Sequence, residues 1–287
     1  MRISRRFIHG MFLILLIFSV SARAAETVDS DEARSQFVVG NIVFVLLHEF
    51  GHLVIDDFDI PVLGNTEDAA DTLAAVTLIR LDRTRPESDF AYVRMLLSAA
   101  DANRILWETG LERDNPDTYG ARHPLSLQRV ARIACLVYGS DMDTFEPLGE
   151  LSYLPGFRAD WCDNEFEDAD KAWEWVRDTY ITKAEHGNLN HTVKYGNTRD
   201  PAQQKIRDQM QQREVLEKAM QVVEDTVLLP DSINLRTRSC GSPNAYWDPN
   251  ERDLVLCYEL VQGFFNLSSE QKITELEQRM REFNRDE

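Results

Sequence analysis

An apolar run from Phe37 to Leu47, broken only by Gly40 and Asn41, leads directly into His48-Glu49-Phe50-Gly51-His52. The run is too short to cross a bilayer and ends in charged and imidazole groups, so it predicts a buried helix. On such a helix His48 and His52 are four residues apart and share a face. Two neutral imidazoles in that geometry can take two corners of a tetrahedral zinc site. Glu49 points into the same cleft and can act on a metal-bound water. Five residues of this pattern recur in unrelated proteins, so a second element has to carry the argument.

That element is Glu67-Asp68-Ala69-Ala70-Asp71, which opens the next predicted helix. Zinc held by two histidines needs a third protein ligand that leaves one position open, and a carboxylate from a following helix meets that need. Glu67 and Asp71 share a face, and Asp71 can then accept the outer N–H of a ligating histidine and fix its tautomer. The connection can reach. Residues 53–58 carry the chain about 9 Å along a helix, and the eight residues 59–66 span up to about 27 Å when extended.

HExxH followed by ExxxD on a second helix resembles the gluzincin clan of zinc metallopeptidases, which contains thermolysin. The resemblance implies that His48, His52 and Glu67 are the ligands of one zinc ion per chain. It further implies that Glu49 is the general base and that Asp71 supports a ligating histidine. The metzincin pattern fits poorly, because its glycine and third ligand would fall on Ile55 and Phe58. Only 14 residues separate His52 from Glu67, short for gluzincins, which keeps Asp68 and Asp71 open as third ligands. The segments HEFGHLVIDDFDIPVLGNTEDAAD, RIACLVYGSD, LPGFRADWC and CGSPNAYWDPNERDLVLCYEL together resemble a bacterial family classed by this same motif as metallopeptidases. That resemblance covers nearly all of the chain after residue 24 and implies no substrate.

The N-terminus indicates a compartment. Arg2, Arg5 and Arg6 precede an apolar stretch from Phe7 to Val20, and Ala22-Arg23-Ala24 offers an A-x-A cleavage site. Residues 1–24 read as a secretory signal peptide, placing the protein in the periplasm or outside the cell with no stable membrane span after cleavage. Removing them takes away four arginines and no acid, leaving 27 basic against 49 acidic residues, a net charge of −22. Such a charge works against nucleic acid or anionic lipid as partners and does not identify a substrate; a peptide or protein substrate is what the metallopeptidase resemblance implies. No linker, repeat or low-complexity tract divides residues 25–287, so they are expected to form one domain, with peripheral helices over 200–229 and 268–285.

Four cysteines in an exported chain imply two disulfides. Cys240 and Cys257 flank a turn-rich segment followed by strand-like residues up to Glu259, so a hairpin closed by Cys240–Cys257 is the economical reading. It would contribute about 3 kcal/mol through chain entropy, and Cys135 would pair with Cys162. A cysteine–histidine metal site is disfavoured because no CxxC is present. Elsewhere helices dominate: 31–57, 67–80, 87–110, 125–138 and 164–180. A charged helix from Asp200-Pro201 carries Ile206, Met210, Leu216, Met220, Val223 and Val227 as one apolar stripe, and Ser268-Ser269 caps a last polar helix. The expected fold is mainly α (α+β), a zincin-like helical core with the HExxH helix and a small disulfide-closed hairpin near the C-terminus.

Hydrolysis also needs a donor to the tetrahedral oxyanion. His123 and Tyr258 are the leading candidates, with Tyr246 and Arg158 behind them; His186 and His191 fall in a Gly/Asn-rich loop and read as solvent-exposed. The strand near Leu254–Tyr258 is expected to pair with an extended substrate. Two alternatives stand beside a zinc peptidase: a catalytically inactive zinc-binding protein of the cell envelope, and an amidase acting on cell-wall peptides.

Overall fold

The computed structural model describes residues 7–85, 89–109, 123–146, 148, 154, 156–182 and 189–270, with side chains described from residue 31 to 268. The fold is mainly helical with one small sheet, and its axis is α1 (Phe7–Asp57). Asp31–Asp57 is long and apolar enough to cross a membrane by composition alone. Here it is the core helix instead: Phe37, Phe44, Leu47, Phe50, Leu53 and Val54 are each at most 2 % exposed. Burying a side chain of that size stabilises the fold by about 1.5–3 kcal/mol. The apolar residues face every direction because α2 (Thr66–Thr84), α3 (Ala91–Glu108), the C-terminal helix and the sheet surround α1.

Local chemistry sets the helix ends near the site. Asn65 lies in extended backbone and its side chain accepts from the Glu67 N–H at 3.0 Å, so α2 starts where the cap was expected. After α3 come α4 (Ser126–Ser140) and α5 (Cys162–Val176), which the Cys135–Cys162 disulfide ties together. A single π-helical turn, Arg177–Ile181, extends α5.

The sheet has the order β1-β2-β4-β3, with β1 (Thr192–Tyr195), β2 (Asn234–Arg238), β3 (Ala245–Asp248) and β4 (Asp253–Cys257). β1 and β2 are parallel, as are β2 and β4, whereas β3 and β4 form the expected antiparallel hairpin with Cys240–Cys257 at its mouth. The parallel crossover from β1 to β2 runs through α6 (Pro201–Gln212) and α7 (Val215–Thr226). Strand character is therefore wider than the hairpin predicted from sequence. β4 lies between β2 and β3, with all five residues buried, so both its edges are taken and it cannot add a substrate strand. The outer strand next to α1 is β3.

Two further differences from the sequence reading have local causes. The 200–229 helix is broken: Glu214 adopts φ 53°, and α6 and α7 meet there. The apolar stripe survives the break, since Ile206, Met210, Leu216, Met220, Val223 and Val227 are all buried. Ser268 does not open a helix but lies in the last turn of α8 (Tyr258–Glu270), where its hydroxyl accepts from Arg34 Nε of α1 at 3.0 Å. Residues 271–285 of that predicted element lie outside the described residues.

α1 and α2 cross almost backbone to backbone. A β-carbon on Gly51 would stand 2.9 Å from the Cα of Ala70, closer than real contacts allow. Gly51→Ala should therefore lower stability by about 1–3 kcal/mol, the cost of forcing a methyl into a packed contact. Gly263→Ala, in α8 with nothing within 4 Å of the added carbon, should leave stability unchanged or raise it by about 0.4–1 kcal/mol. Urea unfolding of the two variants beside the parent protein measures both.

Candidate metal centre

The α1–α2 crossing brings the two polar motifs together. Gly51 occupies the contact, so His48 and His52 on α1 face the first turn of α2. His48 Nε2 is 3.1 Å from His52 Nε2 and 3.2 Å from Glu67 Oε2, and His52 Nε2 is 3.3 Å from the same carboxylate oxygen. Corners of a tetrahedron about 2.0–2.1 Å from a central ion stand about 3.3–3.4 Å apart. The three atoms thus form one face of a tetrahedral cage and fit a four-coordinate metal ion. His48 and Glu67 are buried at 3 % and 4 % exposure, while the His52 side chain keeps 22 %, so the cluster is open on the His52 side.

Around this triangle each remaining polar group has a definite place. His48 Nδ1 meets Asp71 Oδ1 at 2.8 Å, which turns Nε2 toward the cluster. Asp71 is held by Arg129 of α4, whose Nε donates to Oδ2 at 2.8 Å and whose Nη2 donates to Oδ1 at 2.6 Å. Asp68, the neighbouring carboxylate, is partly exposed and paired with Arg132, away from the histidines. Glu49 is buried, and its Oε2 accepts the backbone N–H of Trp247 at 3.2 Å. That N–H is free to do so because of the hairpin register. Cys257 N–H donates to the Asn244 carbonyl, so the main chains of Tyr246 and Asp248 face β4 and those of Ala245 and Trp247 face outward. The Trp247 indole donates to Asp56 at 3.1 Å, and Arg252, paired twice with Asp57, lies 5.4 Å from its ring centroid. β3 is thereby fixed beside α1 along the two turns that follow Glu49.

The oxyanion candidates separate. His123 sits at the cluster: its Nδ1 is 3.1 Å from Glu67 Oε2 and its ring centroid is 5.7 Å from that of His48. Tyr258 is fully buried, its hydroxyl donating to the Gly196 carbonyl at 2.6 Å and accepting from Thr237 Oγ1 at 2.7 Å, so it serves the sheet. Tyr246 lies under the Arg238 guanidinium, and Arg158 pairs with Glu165. His191 Nδ1 accepts the Ile233 N–H at 3.1 Å, and His186 lies outside the described residues. Cys240, Cys257 and Glu259 also converge, but both sulfurs are spent in the disulfide, and Glu259 receives the N–H groups of Cys240 and Gly241.

The electrostatics follow from this crowding. Burial opposes a charge on His48, but hydrogen bonds to Asp71 and Glu67 outweigh it and its pKa is raised to about 9. The His48 hydrogen bond in turn lowers Glu67 to about 2. Burial pushes Asp71 upward, yet the hydrogen bond from His48 and the charge of Arg129 bring it down to about 2. Burial raises Glu49 above the ordinary carboxylate range and lowers His52 and His123 below the ordinary imidazole range. A proton on His48, between two carboxylates, thus stands where a dication would place its charge.

Sequence reasoning did not find Arg129 or the Trp247 N–H. Arg129 leaves one weak trace: Arg129 and Arg132 are two cations one turn apart at the start of the otherwise apolar RVARIACLV helix, matching Asp71 and Asp68 on α2. A backbone donor leaves none.

No curated protein and no solved structure matches this chain. Residues 14–176 and 195–286 match the sequence model of DUF4344, a family described as "Putative metallopeptidase". Those segments hold the whole His48–His52–Glu67 group and the strand beside it, and the chain belongs to that metallopeptidase family.

Proposed function

We propose that this protein is an exported zinc metallopeptidase that takes one zinc ion per chain on His48, His52 and Glu67 and hydrolyses peptide bonds. The observation that carries the reading is the tetrahedral face formed by these three side chains, with the Glu49 carboxylate beside it. Two imidazoles and a carboxylate, with one side open, suit zinc in a catalytic rather than a structural role. When bound, zinc lowers the pKa of a water to about 7 and polarises the scissile carbonyl.

The chain's own groups supply the rest. Glu49 Oε accepts a proton from the attacking water and returns it to the departing amine; its raised pKa brings it closer to the solution pH, where such a base works best. Asp71 holds His48 in the tautomer that presents Nε2 to the metal. His123, half-exposed at the open side of Glu67, is the donor assigned to the oxyanion. The Trp247 N–H is given to Glu49, so the outward groups of β3 left for an extended substrate are the Ala245 N–H and the carbonyls of Ala245 and Trp247, on the edge that adjoins Glu49. The two disulfides and the N-terminal apolar helix fit export with cleavage near Ala24.

Three measurements test the reading. Glu49→Gln should keep zinc while peptide turnover falls by at least about 10²-fold; turnover unaffected by the change would mean that Glu49 is not the base, and a zinc-loaded parent without turnover would be an inactive zinc-binding protein. Zinc content should be about one per chain in residues 25–287 and should be lost in Glu67→Ala. Because His48 must give up its proton to bind metal and that proton leaves at a pKa of about 9, zinc affinity should rise with pH. Below that pKa the gain should be about tenfold per pH unit. Chelator competition at several pH values reads the slope, and a flat profile below pH 8 would contradict it.

A further inference from the structure

We infer that Arg129 is a positioning residue of the metal centre, acting on His48 through Asp71; this rests on the metallopeptidase reading above. Three observations carry it. First, Arg129 is the only described arginine or lysine that contacts Asp71, and it does so with a fork: Nε and Nη2 engage both carboxylate oxygens at 2.8 and 2.6 Å. That grip fixes the plane of the carboxylate, and so the direction in which Oδ1 meets His48 Nδ1 at 2.8 Å. Second, the grip is built into the core. The Arg129 side chain is 18 % exposed and Asp71 4 %, and the guanidinium lies 5.7 Å from the ring centroid of Phe44 on α1.

The third observation is the charge count. Glu49, Glu67 and Asp71 are three buried carboxylates in one small volume. A dication cancels two of them and Arg129 the third, so the occupied centre is neutral. Without Arg129 it would keep one uncompensated negative charge away from water, a costly arrangement. Asp71 would also be free to pull harder on the His48 N–H and to rotate, blurring the direction of Nε2. Arg132, one turn along α4, makes the contrast: its partner Asp68 touches no histidine, and both side chains are partly exposed.

The test is zinc affinity by chelator competition for the disulfide-intact protein and for Arg129→Lys, Arg129→Gln, Arg132→Gln, Asp71→Asn and the Asp71→Asn/Arg129→Gln pair. Folding of each is checked by circular dichroism and metal-free melting. Arg129→Gln should weaken zinc binding by about 10–100-fold. Arg129→Lys should recover part of that loss, since it restores the charge without the fork. Arg132→Gln should stay within about twofold of the parent, a change worth only a few tenths of a kcal/mol. If Arg129 works through Asp71, the paired variant should bind no worse than Asp71→Asn alone. Unchanged affinity in Arg129→Gln, or losses that add in the pair, would overturn the inference and leave the metal site standing. If Arg129→Gln does not fold, Arg129→Lys decides: affinity equal to the parent overturns the inference and a loss supports it. A parent protein that takes up no zinc overturns the metallopeptidase reading itself, and the role of Arg129 with it.

Discussion

A helix buried on every side can carry polar groups only if its neighbours answer each of them, and α1 sets that condition for the whole domain. A buried donor, acceptor or charge without a partner costs several kcal/mol, comparable to a large share of net stability. Asn41 on α1 donates to the carbonyls of Phe37 and Ser98. His48 is answered by Asp71 and Glu67 of α2, Glu49 by the Trp247 N–H of β3, and Asp56 and Asp57 by Trp247 and Arg252. The elements around α1 are thus placed by two demands at once: apolar contact along most of the helix, and polar matching near its C-terminal end. The candidate metal centre sits where the second demand is greatest. It depends on Gly51, because only a missing side chain lets α2 come close enough for its first-turn acids to reach the histidines.

The same crowding explains why the ionisable groups depart so far from their ordinary behaviour. His48 is pulled up and its two acidic partners pulled down by one mutual interaction, and burial magnifies it by keeping water away. Glu49 is moved the other way, since its partner is a neutral backbone N–H and burial dominates. One small volume therefore holds carboxylates of two kinds, those held anionic by cations and one held closer to neutrality. That division matches the separate tasks of ligand or orienter and of proton acceptor in the proposed mechanism.

What could be read from the sequence was whatever local spacing encodes. The four-residue interval in HEFGH and in EDAAD survives folding because a helix converts it directly into a shared face, and the caps at Asn65 and Asp200 act within three residues of themselves. The cysteine pairing was legible because turn-rich spacing leaves few economical closures, and both predicted disulfides are present. The partners brought from a distance were not legible. Arg129 lies 58 residues from Asp71, and only the packing of α4 against α2, α3 and α5 brings it there. β1 and β2 have only four and five residues, and their parallel pairing spans 42 positions, so neither strand announces itself. The break at Glu214 was hidden because the apolar stripe continues across it, one helix handing the same face to the next.

The placement of the sheet bears on what the site can do. A hairpin alone would leave either of its strands available to a peptide. Here β2 takes the free edge of β4, which leaves β3 as the outer strand, and Trp247 fixes β3 against the end of α1 through Asp56 and Arg252. The candidate ligand triangle, Glu49 and the outward main chain of β3 are consequently carried by helices and a strand packed into one core. Metal sites that hold small domains together draw their ligands from chain that is unfolded without the ion. In this protein apolar burial along α1, the Gly51 crossing and the cap on α2 set the spacing of the candidate ligands through packing. Ligands spaced by packing are pre-organised for an ion, as suits the open catalytic site proposed here.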